Sequence, residues 1–185
     1  MTYGALRIKV SNRGRPPVAF LDELIAWGRT AAPEIFAPNA AQDIYASVRE
    51  VLGPWRGDLQ RRAVMLEVMR VLAGFESSWD WNAGRDVTNP TSVTATTTEA
   101  GAWQVSANSI GFGADLRQLV IGRVGTADGT RFQAAMKSDH ALAMEYIARL
   151  LRHTVNHNGP VKRHEIDPWL SSEAVEELIG LLEPT

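Results

Sequence analysis

Apolar positions fall at helical spacing in five stretches of the chain and leave a long polar gap between them. Phe20, Leu21, Leu24, Ile25 and Ala26 recur every three or four residues, the stripe that an amphipathic helix turns to a core, and Pro33 closes it. Ile44, Tyr45, Val48, Val51 and Leu52 repeat the pattern up to a stop at Gly53-Pro54. From Leu59 to Phe75 the chain is different. Ala63, Val64, Met65, Leu66, Val68, Met69, Val71, Leu72 and Ala73 are apolar nearly all round, which predicts a buried central helix ending directly at Glu76. Helix returns from Arg131 to Thr154 on Phe132, Ala135, Met136, Leu142, Ala143, Tyr146, Ile147, Leu150 and Leu151. A last helix is expected from about Ser171 to Leu182, capped by Ser171 or Ser172 with acidic residues in its first turns.

Between these stretches the period disappears. Ser77 to Thr98 is dominated by Asp, Asn, Gly, Pro and Thr, which predicts a long ordered loop or a short hairpin. A loop of that length inside a small domain is usually functional. Ser11 to Pro17, with Gly14, Pro16 and Pro17, reads as a flexible or extended arm. No set of alternating strands is present, so the fold class is mainly α. The chain divides into an N-terminal arm and helical extension (1–55) packed on a catalytic domain (56–185).

Composition narrows the chemistry. A net charge of -2 removes the basic face that nucleic-acid binding needs. The absence of cysteine rules out disulfides, thiolate metal sites and thiol nucleophiles. No segment approaches a membrane span, and the first residues lack the apolar run of a signal peptide, so the chain is expected to be made in the cytoplasm without an ordinary export signal. His153 and His157 stand four apart, but no third ligand accompanies them at a diagnostic spacing, and His164-Glu165 lacks the second histidine of a zinc-protease motif. No metal and no cofactor are expected.

Glu76 is the candidate catalytic group. At the end of an apolar helix, burial and the partial negative charge of the helix C-terminus both disfavour its ionised form and push its pKa upward. A carboxylic acid protonated near neutral pH is what protonating a glycosidic oxygen requires.

Its neighbours form a pattern. Gly74-Phe75-Glu76-Ser77-Ser78-Trp79 is followed by Gly101-Ala102-Trp103-Gln104-Val105-Ser106 and then by Asn156-His157-Asn158-Gly159-Pro160. This order resembles the lysozyme-like superfamily of lytic transglycosylases and goose-type lysozymes, over roughly Leu59 to Pro160. The resemblance implies a lysozyme-like helical domain with Glu76 as general acid/base. Ser77 would steady the cleft wall or touch sugar, Gln104 would line the floor, and Asn158 would face the cleft. The chain departs from the pattern in three places: Val155-Asn156-His157 replaces the usual tyrosine before the last motif, the Glu76 to Gly101 interval is long, and Ser106 stands where goose-type lysozymes carry aspartate. Asp80, Asp86 and Glu99 are the candidates for a second carboxylate. Glu99 is the foremost, because it precedes the Gly101 turn, and Asp86 is expected to pair with Arg85. Trp79, Trp81 and Trp103 suit stacking on sugar faces, with one expected in the core and at least one, Trp79 or Trp103, on substrate.

The substrate implied by the resemblance is peptidoglycan, cut between N-acetylmuramic acid and N-acetylglucosamine. The size and N-terminal extension are similar to type VI secretion effectors, which implies a secretion apparatus as carrier, action in a target cell's periplasm, and an immunity protein as partner. A lytic transglycosylase, a phage endolysin-like lysozyme, a chitinase or chitosanase, and a non-catalytic glycan-binding module are the other readings.

Overall fold

The computed structural model describes residues 2–40, 42–153 and 159–183. Asn156, His157 and Asn158 of the third motif lie outside them. The chain is mainly helical, and no named strand occurs among the described residues.

The first apolar stripe forms α1 (Val18–Thr30), which buries Phe20, Leu21, Leu24, Ile25 and Trp27. Two short helices follow, α2 (Ile44–Ser47) and α3 (Arg49–Leu52), the first capped by the Asp43 carboxylate on the Tyr45 amide. The central helix α4 (Asp58–Ser77) runs 20 residues, about 30 Å of rise. Its middle is buried on every side, as the apolar pattern requires, and it packs on α1 and on α9 (Ser172–Leu182), with Ser171 as the α9 cap. Residues of the first 55, among them Leu6, Phe20 and Val48, enter the same core cluster as α4.

Four features differ from the sequence expectation. First, α4 is not wholly apolar inside: Glu67 and Arg70 are both fully buried and face each other in a bidentate pair, each oxygen at 2.7 Å. A charge at either position alone breaks the apolar pattern, and only their i, i+3 spacing brings the two together. Second, the expected long helix from Arg131 is two helices, α6 (Gly129–Ser138) and α7 (His140–Leu150). Asp139 leaves helical geometry at φ -105°, ψ 84° because its carboxylate accepts the Leu142 amide at 2.9 Å, which restarts the chain as an N-cap. Third, α5 (Ala114–Val124) forms where little apolar pattern exists. It buries only Leu116 and Val120, so tertiary contact with α7 rather than periodicity secures it. Fourth, the Ser11 to Pro17 segment folds through a tight turn rather than trailing away. A one-turn helix, α8 (Gly159–Lys162), follows α7 in the described chain. None of these helices is long and apolar enough to cross a membrane.

Candidate functional site

The end of α4 places the site. Glu76 and Ser77 belong to its last turn, and Ser78 and Trp79 then turn the chain at φ 58° and 62°. Their amides bond the Gly74 and Ala73 carbonyls at 3.0 and 3.1 Å. Trp79 folds back on the helix it has just left, and its indole N–H donates to the Arg70 carbonyl at 2.8 Å. The ring lies so close to Gly74 that a Cβ there would be 2.6 Å from Trp79 Cζ2. The Ser77 hydroxyl donates to the Ala102 carbonyl at 2.8 Å and accepts the Asp80 amide at 3.0 Å. These bonds tie the end of α4 to the turn that carries Ala102. Asp80 braces the same bend by accepting the Asn82 amide at 2.8 Å.

The polar loop carries no hairpin. Just past it, an isolated bridge joins Ala100 to Val105 and closes the Gly101 turn. Gly101 sits at φ 75°, and a Cβ on it would stand 2.7 Å from the Met136 carbonyl oxygen. Gly101→Ala combines left-handed strain with a backbone clash and is expected to cost about 2–4 kcal/mol, read as a lower denaturant midpoint with unchanged slope. Gln104 also takes a positive φ, 46°; its backbone amide and its side-chain Nε2 both donate to the Gly101 carbonyl, at 3.0 and 3.2 Å. A non-glycine residue held there is the local strain that functional turns carry.

These pieces meet. Glu76, Glu99, Gln104, Ser106, Gly159 and Pro160 line one cleft of about 730 Å3, together with Asp86, Thr88, Asn89, Arg13 and Arg163. The volume falls within the usual range of small-molecule sites. Glu76 is half-buried at its edge. Glu99 is fixed by three donors: Asn89 Nδ2 at 2.5 Å, the Ser92 hydroxyl at 2.5 Å and the Asp86 amide at 3.4 Å. Asp86 does not turn to Arg85; it accepts the Thr88 hydroxyl at 2.6 Å and the Thr88 amide at 2.8 Å. Those bonds hold its carboxyl below the usual carboxylate range, so it is ionised at neutral pH. A second hollow, sharing Asn89, Glu99, Gln104 and Ser106, extends the cleft toward Asn108 and Phe112.

The tryptophans are placed otherwise than expected. Trp79 is 4% exposed and Trp103 2%, and the Trp103 indole donates to the Met69 carbonyl at 2.9 Å. Their burial leaves almost no ring face for a sugar to stack on, although Trp103 borders the second hollow, and each indole N–H is held by a carbonyl of α4. Trp81 is half-buried and stacks on His140 at 3.9 Å, 8° from parallel. Asn158 falls outside the described residues, as does His157, and His153 pairs with Asp115 at 2.7 Å. No group of three His, Asp or Glu side chains suited to a metal ion occurs among the described residues. Arg13 and Arg163 had no sequence signal: Arg13 lies far from the motifs in the chain, and Arg163 follows the third motif by three residues without belonging to it, so folding brings both to the cleft. Set against protein-family models, curated proteins and solved structures, the chain matches none of them.

Proposed function

We propose that this cleft cleaves the glycan strands of peptidoglycan, in a lysozyme-like domain with Glu76 as general acid/base. The observation that supports the reading most is the convergence of Glu76, Glu99, Gln104 and Gly159, dispersed in sequence, on one polar cleft at the end of a buried helix. Glu76 donates its proton to the glycosidic oxygen as the bond to the anomeric carbon breaks. Glu99, positioned by its three donors, then takes a proton from the water that attacks that carbon, which makes the reaction a hydrolysis. An inverting pair leaves room for that water between two carboxylates.

A second reading draws on the same bonds. With three donors committed to the loop, Glu99 is also suited to a purely bracing role, and a single carboxyl group suffices for a lytic transglycosylase. There the muramic acid C6 hydroxyl attacks the anomeric carbon and yields an anhydro product. Mass analysis of products from purified peptidoglycan separates the two: reducing-end muramic acid supports hydrolysis, 1,6-anhydromuramic acid the transglycosylase, and uncut strands overturn both. Glu99→Gln gives an independent arm. It lowers kcat with KM little changed if Glu99 is the base, and lowers Tm instead if it braces the loop.

The proposal extends to delivery. The substrate lies in the periplasm of a target bacterium, the carrier is a type VI secretion apparatus, and a cognate immunity protein plugs the Glu76 cleft. Expression confined to the cytosol is then harmless while periplasmic expression lyses the cell; equal killing from both compartments refutes this part.

A further inference from the structure

Two cleft residues, Arg13 and Arg163, have no part in the bond-breaking scheme. Arg13 is presented by a five-residue turn closed by the Val10 amide on the Gly14 carbonyl at 2.9 Å and the Arg13 amide on the Val10 carbonyl at 3.0 Å. Ser11 and Gly14 supply the reversal with φ of 48° and 91°. The turn is anchored on both sides. Val10 and Pro16 are buried, and further back the Gly4 and Leu6 amides donate to the two oxygens of Glu177 on α9 at 2.8 and 2.9 Å. The N-terminal segment is therefore a docked strap that sets Arg13 at the cleft. Among the described residues the Arg13 guanidinium has neither a hydrogen bond nor an ion pair.

Arg163 reaches the cleft from the α8 side. Glu165 holds its Nε at 2.6 Å and Nη2 at 3.1 Å, and Glu165, with a smaller contribution from Glu76, favours its charge. It lies over Gly159, where a Cβ would be 2.9 Å from Nη1. Among the described residues, Asp86 and Glu99 make no ion pair with either guanidinium: Asp86 accepts from Thr88, and Glu99 from Asn89 and Ser92, so both carboxylates are held away while adding negative charge to the lining.

We propose that Arg13 and Arg163 form a carboxylate-recognition subsite beside Glu76, so that the cleft takes an acidic glycan in preference to a neutral one. The inference rests on the glycan-cleaving reading. A guanidinium presents a planar fork of donors that matches a carboxylate, and Arg13, having no internal partner, gives up none when it binds one. On a muramic-acid polymer the carboxylate has two sources: the peptide stem, or the lactyl group of the sugar once the stem is removed.

The test uses the intact chain carrying Glu76→Gln, so that ligands stay whole, and three oligosaccharides of equal length. One bears peptide stems, one has been stripped by an amidase to bare lactyl carboxylates, and one is neutral chitin oligomer. At least one acidic ligand is expected to bind about tenfold tighter than the neutral one, with the preference falling as salt rises. Tight binding of the stem-bearing ligand alone assigns the stem carboxylate, tight binding of the stripped ligand alone assigns the lactyl carboxylate, and tight binding of both shows that the subsite accepts either. Arg13→Gln removes most of the preference, Arg13→Lys retains part of it, and Gly159→Ala lowers it by pushing Arg163 aside, with Tm followed for each. Equal affinity for all three ligands, or a preference untouched by Arg13→Gln, overturns the subsite and leaves the glycan reading standing. No binding of any oligosaccharide, with no cleavage of cell walls by the unmodified protein, overturns both.

Discussion

Glu76→Gln is expected to lower glycan cleavage by about 10²- to 10⁴-fold, the usual contribution of a positioned general acid/base, without lowering Tm. The amide keeps the size and polarity of the side chain but has no proton of suitable acidity for a leaving oxygen. Stability is preserved because Glu76 is half-buried in the last turn of α4 and the helix end is secured by other groups, namely Ser77 on Ala102 and Trp79 on Arg70. Release of reducing or anhydro ends from purified peptidoglycan measures the first quantity, and thermal denaturation the second. Clearing of cell walls at the unmodified rate removes Glu76 from the mechanism. Lost activity together with a markedly lower Tm shows instead that the side chain is structural.

The second large effect lies about two turns earlier on the same helix. Arg70→Met is expected to destabilise the fold by about 3–5 kcal/mol, the cost of leaving one member of a buried pair unpaired. Glu67 keeps one donor in that variant, the Ser171 amide at 3.0 Å, and loses both bonds from the guanidinium. That is a large part of the roughly 5–15 kcal/mol of a typical domain. Replacing both residues, as Glu67→Leu with Arg70→Met, recovers most of the loss, because no buried charge remains. Arg70 Nη1 is itself buried without a partner, which takes from what the pair contributes. The pH dependence has a definite sign. Burial is the largest influence on Glu67 and pushes its pKa up, and Arg70 is the main force opposing this. Without Arg70 the folded-state pKa rises further above the unfolded one. The folded variant then holds more protons than the unfolded chain, so its stability falls as pH rises from the ordinary carboxylate range through the raised value, and recovers on acidification. Urea midpoints of the variant across that range test it: a deficit that grows toward low pH contradicts the assignment.

The pair also bears on the site. Through Glu67 on the Ser171 amide it joins α4 to the cap of α9, and through the Arg70 carbonyl on Trp79 it holds the bend that follows Glu76. Loosening it is therefore expected to reach the cleft as well as the core.

Sequence alone determined the parts of this protein that depend on local pattern. The apolar stripes of α1 and α4 and the cap of α9 were legible because helical period and capping chemistry act within a few residues. The Glu-Ser ending of α4 and the Gly101 turn were legible because each is a short run of residue types with a specific backbone requirement, as the positive φ at Gly101 bears out. Tertiary structure decided the rest. The break at Asp139 depends on its carboxylate finding the Leu142 amide, and α5 depends on what Leu116 and Val120 pack against. Trp79 and Trp103 look alike to Trp81 in sequence, and only the positions of the Arg70 and Met69 carbonyls put the first two in the core. Arg13 stands 63 residues before Glu76 (76 minus 13) and carries no motif. A strap anchored on Glu177 brings it to the cleft, through long-range contacts that no local pattern encodes.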